Sequence, residues 1–190
     1  MMSQIGGFYN MPDEIQSTNS ADNEPVIAGA LSIINSLVGD GIVKKYAVGG
    51  SIALLNYVEP FVTEDLDIFC HIEETGTLIS LSPIYSHLKS LGFQSDGEFI
   101  SIDGVLVQFL VPPSKLVEEA LNNSVIVNIE TVDVPVFDYE YLLAVLVETN
   151  RPKDRLKLEL ARESRDPDEG KLMDILERYN LVERWKSIIA

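Results

Sequence analysis

Residues 46–69, YAVGGSIALLNYVEPFVTEDLDIF, constrain this chain more than any other stretch: an apolar strand, a Gly-Gly-Ser turn, a short apolar helix, then a strand bearing Asp65 and Asp67. Strand residues i and i+2 share a face, so both aspartates point one way while Leu66 and Ile68 point into a core. Like charges side by side repel without a cation, and their hard oxygens suit Mg²⁺ or Mn²⁺, which take carboxylate, phosphate and water oxygens. Gly49 and Gly50 let backbone approach a ligand closely, and a helix starting at Ser51 points free N–H groups and its positive dipole end at an anion. The pattern predicts a metal and a phosphate meeting at one sheet edge. Asp65 and Asp67 are the candidate metal ligands; Gly49, Gly50 and Ser51 are the candidate nucleotide contacts, with helix capping as the plain alternative for Ser51.

Hydrophobic spacing sets the rest of the fold. Residues 1–24 have no period and read as a weakly ordered arm. A helix is predicted from Pro25 to the Gly39-Asp40-Gly41 stop, a strand over 43–48, a helix over 51–57 ended by Pro60, and the carboxylate strand over 65–72. Ser82-Pro83 caps a helix through Leu91, with Gly92 as its stop. Asp103-Gly104 joins strands 98–102 and 105–111 in a hairpin. A helix over 115–121 and strands over 125–129 and 132–136 follow, then helices over 139–148, 153–163, 169–179 and 181–189, two of them capped by Asp138 and Asp168. Strands early and helices late predict an α/β (α+β) fold: a mixed sheet with flanking helices over 25–137 and a C-terminal helical cluster over 138–190.

The 190 residues, 46% hydrophobic and 23% charged, fit one buried core, and no apolar run reaches the length of a membrane span. The start MMSQIGGFYNMPDE lacks a basic and then apolar leader, and the lone Cys70 sits in an apolar strand, so a cytoplasmic protein is expected. A net charge of −16 argues against broad nucleic-acid binding, since that rests on Lys and Arg; the one basic stretch is 151–165. An NTP is easier to accommodate, because its metal brings positive charge into an acidic site.

Gly49, Gly50, Ser51, Asp65 and Asp67 resemble the signature of the nucleotidyltransferase fold, the DNA polymerase β superfamily, in which Gly-[Gly/Ser] precedes Asp-x-Asp. Arg151-Pro152-Lys153-Asp154, opening a basic and apolar helix, resembles the closing motif of AbiEii-type nucleotidyltransferases, and the resemblance spans residues 26–189. It implies Mg²⁺-dependent transfer of an NMP from an NTP to a hydroxyl on RNA or a small molecule, and toxin-like members paired with an antitoxin protein. It makes Asp65 and Asp67 catalytic, Lys153 a triphosphate contact, and Asp154 a base or orienter of the nucleophile. The plain alternative is a helix start, with Pro152 first and Asp154 favouring the dipole.

Two departures stand out. Where many members carry a third carboxylate on a later strand, this chain has Gln108, an amide that can contact nucleotide or metal but cannot serve as a general base. Asp103 and Glu98 lie near it in sequence and read chiefly as solvated charges. A lysine upstream of the Lys-Asp motif is also missing from 142–147. A second reading is therefore a nucleotide-binding regulatory module without turnover, and a third is a small-molecule transferase of the antibiotic-modifying type, whose cationic acceptors an acidic surface attracts. Glu64, His71 and His87 read as structural or surface residues, and Tyr179 with Trp185 as packing of the helical cluster.

Overall fold

The computed structural model describes residues 27–57, 65–72 and 80–189. The expected arm over 1–24, the helix start at Pro25, the stop at Pro60 and the surface charge of Glu64 lie outside the described residues. The chain runs α1 (Ile27–Gly39), β1 (Val43–Val48), α2 (Gly50–Leu55), β2 (Asp65–Ile72), α3 (Ser82–Ser90), β3 (Gln94–Asp96), β4 (Phe99–Ile102), β5 (Val105–Leu110), α4 (Lys115–Asn122), β6 (Val125–Ile129), β7 (Val132–Val136), α5 (Tyr139–Thr149), α6 (Pro152–Ser164), α7 (Glu169–Arg178) and α8 (Val182–Ile189).

The strands form one sheet in the order β3-β4-β5-β2-β1-β7-β6. β2 pairs antiparallel with β1 and parallel with β5, and β1 pairs parallel with β7, so the sheet is mixed as expected. β2 alternates cleanly: Leu66, Ile68, Cys70 and Ile72 are buried while Asp65, Asp67, Phe69 and His71 are half-buried. Each fully buried Leu or Ile contributes about 1.5–3 kcal/mol. A one-residue slip would invert the faces, which fixes where the carboxylates project. The Asp103-Gly104 turn has φ of 50 and 85, the left-handed pair a two-residue hairpin turn of type I′ needs.

Two local expectations are corrected. Ser82 is the first residue of α3 rather than its cap, and its N–H donates to Ser80 Oγ at 3.2 Å. β3, a polar three-residue edge strand, was not predicted. Ser114, Asp138 and Asp168 do cap α4, α5 and α7, accepting from Val117, Tyr139 and Lys171 N–H groups.

The C-terminal helices share one core cluster with the sheet, running from Ala30 to Trp185. α5 is its axis, packing against α2, α4, α6 and α7. The Tyr139 hydroxyl donates to the carbonyls of Ala161 at 2.8 Å and Arg165 at 2.9 Å, pinning α6 to α5. Glu140, nearly fully buried, pairs with Lys171 at 3.0 Å and accepts from the Asp168 N–H. Glu119 accepts from Tyr141 at 2.6 Å and from Arg178 at 2.7 Å, tying α4, α5 and α7 together. The Tyr139 bonds hold α6 by its C-terminal end, and its first turn lines the candidate site.

Candidate active site

The Gly49-Gly50 turn is clamped to the carboxylate strand: Gly49 N–H donates to the Asp67 carbonyl at 3.0 Å. Gly49 is the N-cap of α2, so Ser51 is inside the helix and does not cap it. Gly50 has φ of +56, and a Cβ there would lie 1.8 Å from Asp67 Oδ2. The carboxylate thus occupies the space that the missing side chain leaves, and a glycine is required for the turn and the acid to coexist. α2 has only six residues, so its dipole is small; the turn contributes room and N–H groups.

A cavity of about 370 Å³ opens over this turn. Gly50, Ser51, Asp65, Asp67 and Gln108 line one side, and Thr149, Arg151, Lys153, Asp154 and Lys157 the other. Pro113, Val117, Leu142, Val145 and Leu146 give it an apolar wall. Residues about 85 positions apart in sequence, Asp67 and Arg151 to Lys157, meet because β2 is central in the sheet and α5 turns the chain back over it. Gln108 is in register with Asp67 on the parallel strand β5, so its side chain emerges beside the carboxylate.

Asp65 and Asp67 share this cavity. Burial, and then the neighbouring Asp65 charge, hold the Asp67 pKa above the usual carboxylate range; Lys157, Lys153 and Arg151 pull against them. Two crowded hard-oxygen acids are the donor type a divalent cation takes, so Mg²⁺ or Mn²⁺ fits here. Among the described residues, no third His, Cys, Asp or Glu completes a three-ligand group. The neutral amide of Gln108 stands beside them.

Asp154 is fully buried. It accepts from Arg151 Nε at 2.7 Å, from an Arg151 terminal nitrogen at 3.1 Å, from the Arg151 backbone N–H at 3.0 Å and from the Thr149 hydroxyl at 2.7 Å. Burial alone would raise its pKa, but the bonds from Arg151 and Thr149 outweigh that and hold it below the usual value. A carboxylate so engaged has neither the free oxygen nor the proton affinity of a base. The structure shows Asp154 bonded to Arg151 and Thr149 at the cavity, where the resemblance implies a base or orienter of the nucleophile.

Among solved structures, the chain is similar to an antigenic nucleotidyltransferase-like protein from Paracoccidioides brasiliensis, with a TM-score of 0.54 and 16% identity over 83% of this chain and 90% of that one. The chain has a nucleotidyltransferase-like fold. Similarity extends to the antibiotic-resistance factor ANT(2'')-Ia, with a TM-score of 0.45 and 15% identity for its solution structure over 83% of this chain and 97% of that one. For its crystal structure in complex with adenylyl-2''-tobramycin the TM-score is 0.49 and the identity 14%, over 82% of this chain and 98% of that one. The sequence matches no family model and no curated protein.

On this nucleotidyltransferase-like fold, Gly50, Ser51, Asp65, Asp67, Gln108, Lys153 and Asp154 all line one cavity, and Gly49 supports it from below. Other acids and histidines lie elsewhere. Asp103 turns toward α1, its Oδ2 2.7 Å from where a Cβ on Gly29 would be. Glu98 lines a neighbouring cavity on the far side of Gln108, and its carbonyl accepts from the Tyr85 hydroxyl at 2.6 Å. His71 is in register with Lys45, outside the cavity lining, and His87 Nε2 lies 3.5 Å from Asp40 Oδ2. The sequence reading gave Thr149, Arg151 and Lys157 no site role of their own, although Arg151 opens the motif and Lys157 lies in the basic stretch. The one usable signal was the i, i+4 spacing that puts Lys153 and Lys157 on one face of α6.

Proposed function

We propose that this chain is a divalent-metal-dependent nucleotidyltransferase that moves an NMP from an NTP to a hydroxyl acceptor. The observation that carries the proposal is the facing of two walls in one cavity: Asp65 and Asp67 beside the glycine turn, and Arg151, Lys153 and Lys157 opposite. Asp65 and Asp67 would hold a divalent cation, which when bound would neutralise phosphate charge and lower the pKa of the acceptor hydroxyl. The Ser51 hydroxyl, Arg151, Lys153 and Lys157 bind the triphosphate oxygens, Arg151 most rigidly because Asp154, itself bonded by the Thr149 hydroxyl, holds it. The apolar wall of Val117, Leu142, Val145 and Leu146 receives the nucleoside and excludes water from it. The acceptor oxygen attacks the α-phosphorus, the bond from that phosphorus to the bridging oxygen breaks, pyrophosphate leaves, and the hydroxyl proton passes to solvent.

The AbiEii-like assignment is part of the same proposal, supported by Arg151-Pro152-Lys153-Asp154 opening α6. With it come a cognate antitoxin as protein partner, RNA or a small molecule as acceptor, and a cytoplasmic location; among the described residues no helix is long and apolar enough to cross a membrane. Gln108 beside Asp67 specifically favours a second reading, a regulatory module that binds the nucleotide without turning it over.

Incubation with each α-labelled NTP, Mg²⁺ or Mn²⁺, and either RNA or a panel of hydroxylated small molecules tests the proposal. Label on an acceptor that disappears with Asp65→Asn/Asp67→Asn supports transfer. Nucleotide binding without label on any acceptor supports the regulatory module, and no metal-dependent binding at all sinks both.

A further inference from the structure

Among the described residues β6 is an outer strand of the sheet, paired only with β7. The backbone N–H and C=O groups on its free side are a template for another strand. This edge is apolar and uncharged: residues 122–129 read NNSVIVNI in a chain that is 23% charged. Ile126 is 66% exposed on one face; on the other, Val125 and Val127 lie beside the buried Val136 and Val134 yet, like Ile129, stay half-buried. The nearest acids are engaged within the chain. Asp133 accepts from Asn128 Nδ2 at 2.6 Å, and Glu130, held at a φ of +53, accepts from the Ala28 N–H at 3.1 Å. The opposite edge differs: β3 is only Gln94-Ser95-Asp96, short, polar and charged, as edges that resist pairing are.

We propose that β6 is the surface that binds a second copy of this chain, the two β6 strands pairing antiparallel about a two-fold axis at Val127. Sheet faces must match across the new pair, so residues of the core face meet residues of the core face. An axis at Val127 sets Val125 against Ile129, Val127 against Val127 and Ile126 against Asn128 of the copy, joining two half-buried rows into one apolar stripe. An axis at Ile126 sets Ile129 against Asn123, and one at Asn128 sets Ile126 against Glu130. Each copy carries a net charge of −16, so copies repel at a distance and an uncharged edge is the contact that suits them. The pairing also closes: it consumes both β6 edges and leaves the two β3 edges, so assembly stops at two copies. A five-residue strand from each side, against the roughly 20–30 residues a side of a standard interface, makes the pair weak and concentration-dependent.

Sedimentation velocity of the full chain over a concentration series, at low and at high salt, tests the proposal. The mass should rise from 21.1 kDa to twice that with concentration, and salt should strengthen the pair by screening the repulsion between copies. Ile126→Lys and Ile126→Glu change the net charge in opposite senses at an exposed position, and both should weaken the pair at least about tenfold, with melting curves confirming the fold. Under mild oxidation Val127→Cys should form a disulfide between copies, whereas Ile126→Cys should not, because its two thiols lie on a diagonal about 7–8 Å apart. The native Cys70 is buried and does not interfere. A single-copy mass at every concentration and salt, as when another segment of the same chain covers the edge, overturns the proposal. So does a two-copy particle indifferent to both Ile126 variants, and so does cross-linking through Ile126→Cys in preference to Val127→Cys.

Discussion

Replacing Gly50 with alanine puts a methyl group where Asp67 already stands. The new Cβ would lie 1.8 Å from Asp67 Oδ2, 2.9 Å from its Cγ and 3.2 Å from its Cβ, on a backbone with φ of +56. Holding alanine in the left-handed region costs about 1–2 kcal/mol. Turning the Asp67 side chain off its rotamer adds about 0.5–1.5 kcal/mol. Gly50→Ala should therefore lose about 1.5–3.5 kcal/mol in urea unfolding, within the ~5–15 kcal/mol typical of a domain, so the protein stays folded. Mn²⁺ binding in the presence of an NTP should fall at least about tenfold, or ~1.4 kcal/mol, because the carboxylate has moved. The double variant Gly50→Ala/Asp67→Ala removes the clash but keeps the backbone strain, and a double-mutant cycle should return about 1 kcal/mol of coupling. Wild-type stability and Mn²⁺ affinity in Gly50→Ala would refute the packing of Asp67 against the turn.

Asp154→Asn weakens the hydrogen bonds from Arg151 and Thr149 and should destabilise the protein by about 2 kcal/mol while weakening tripolyphosphate binding, read by urea unfolding and calorimetry. The pKa of Asp154 is lowered on folding, so its contribution is full above the unfolded carboxyl pKa and is lost as pH falls through the folded value; Asp154→Asn should flatten the acid limb of the stability curve. Glu119, held at about 2 by the Arg178 hydrogen bond first, contributes to that acid limb in the same sense and serves as its control. Asp67 has the opposite sign: its pKa is raised, so the ionised group destabilises the fold at neutral pH and the penalty fades as pH drops. Asp67→Asn should raise Tm at neutral pH while abolishing metal-dependent NTP binding. Tyr139→Phe removes the bonds to Ala161 and Arg165 and should cost about 1–2 kcal/mol in thermal or urea unfolding.

The strand bearing Asp65 and Asp67 was legible because burial on one face forces strict alternation, and the Asp103-Gly104 hairpin because that dipeptide encodes its own turn. β3 was not legible: Gln94-Ser95-Asp96 pairs only through its backbone at the sheet edge, with no apolar signal to report it. The far wall of the site was half legible. Lys153 and Asp154 stood out as a motif, but nothing in a local sequence says that an aspartate in the first turn of a helix is fully buried, since that depends on α5 and the Thr149 hydroxyl closing over it. Arg151 stood in the same motif with no role of its own, and only the Asp154 contact shows it as a held cation. Ser51 read as a ligand with helix capping as the alternative, and the turn geometry gives the cap to Gly49.

A crystal structure with Mn²⁺ and a non-hydrolysable α,β-methylene NTP is the most direct test of the two-walled site. An anomalous peak bound by Asp65 and Asp67, with triphosphate oxygens on Arg151, Lys153 and Lys157, is the expected result. Nucleotide bound elsewhere on the protein, or Mn²⁺ bound without either aspartate, would contradict it.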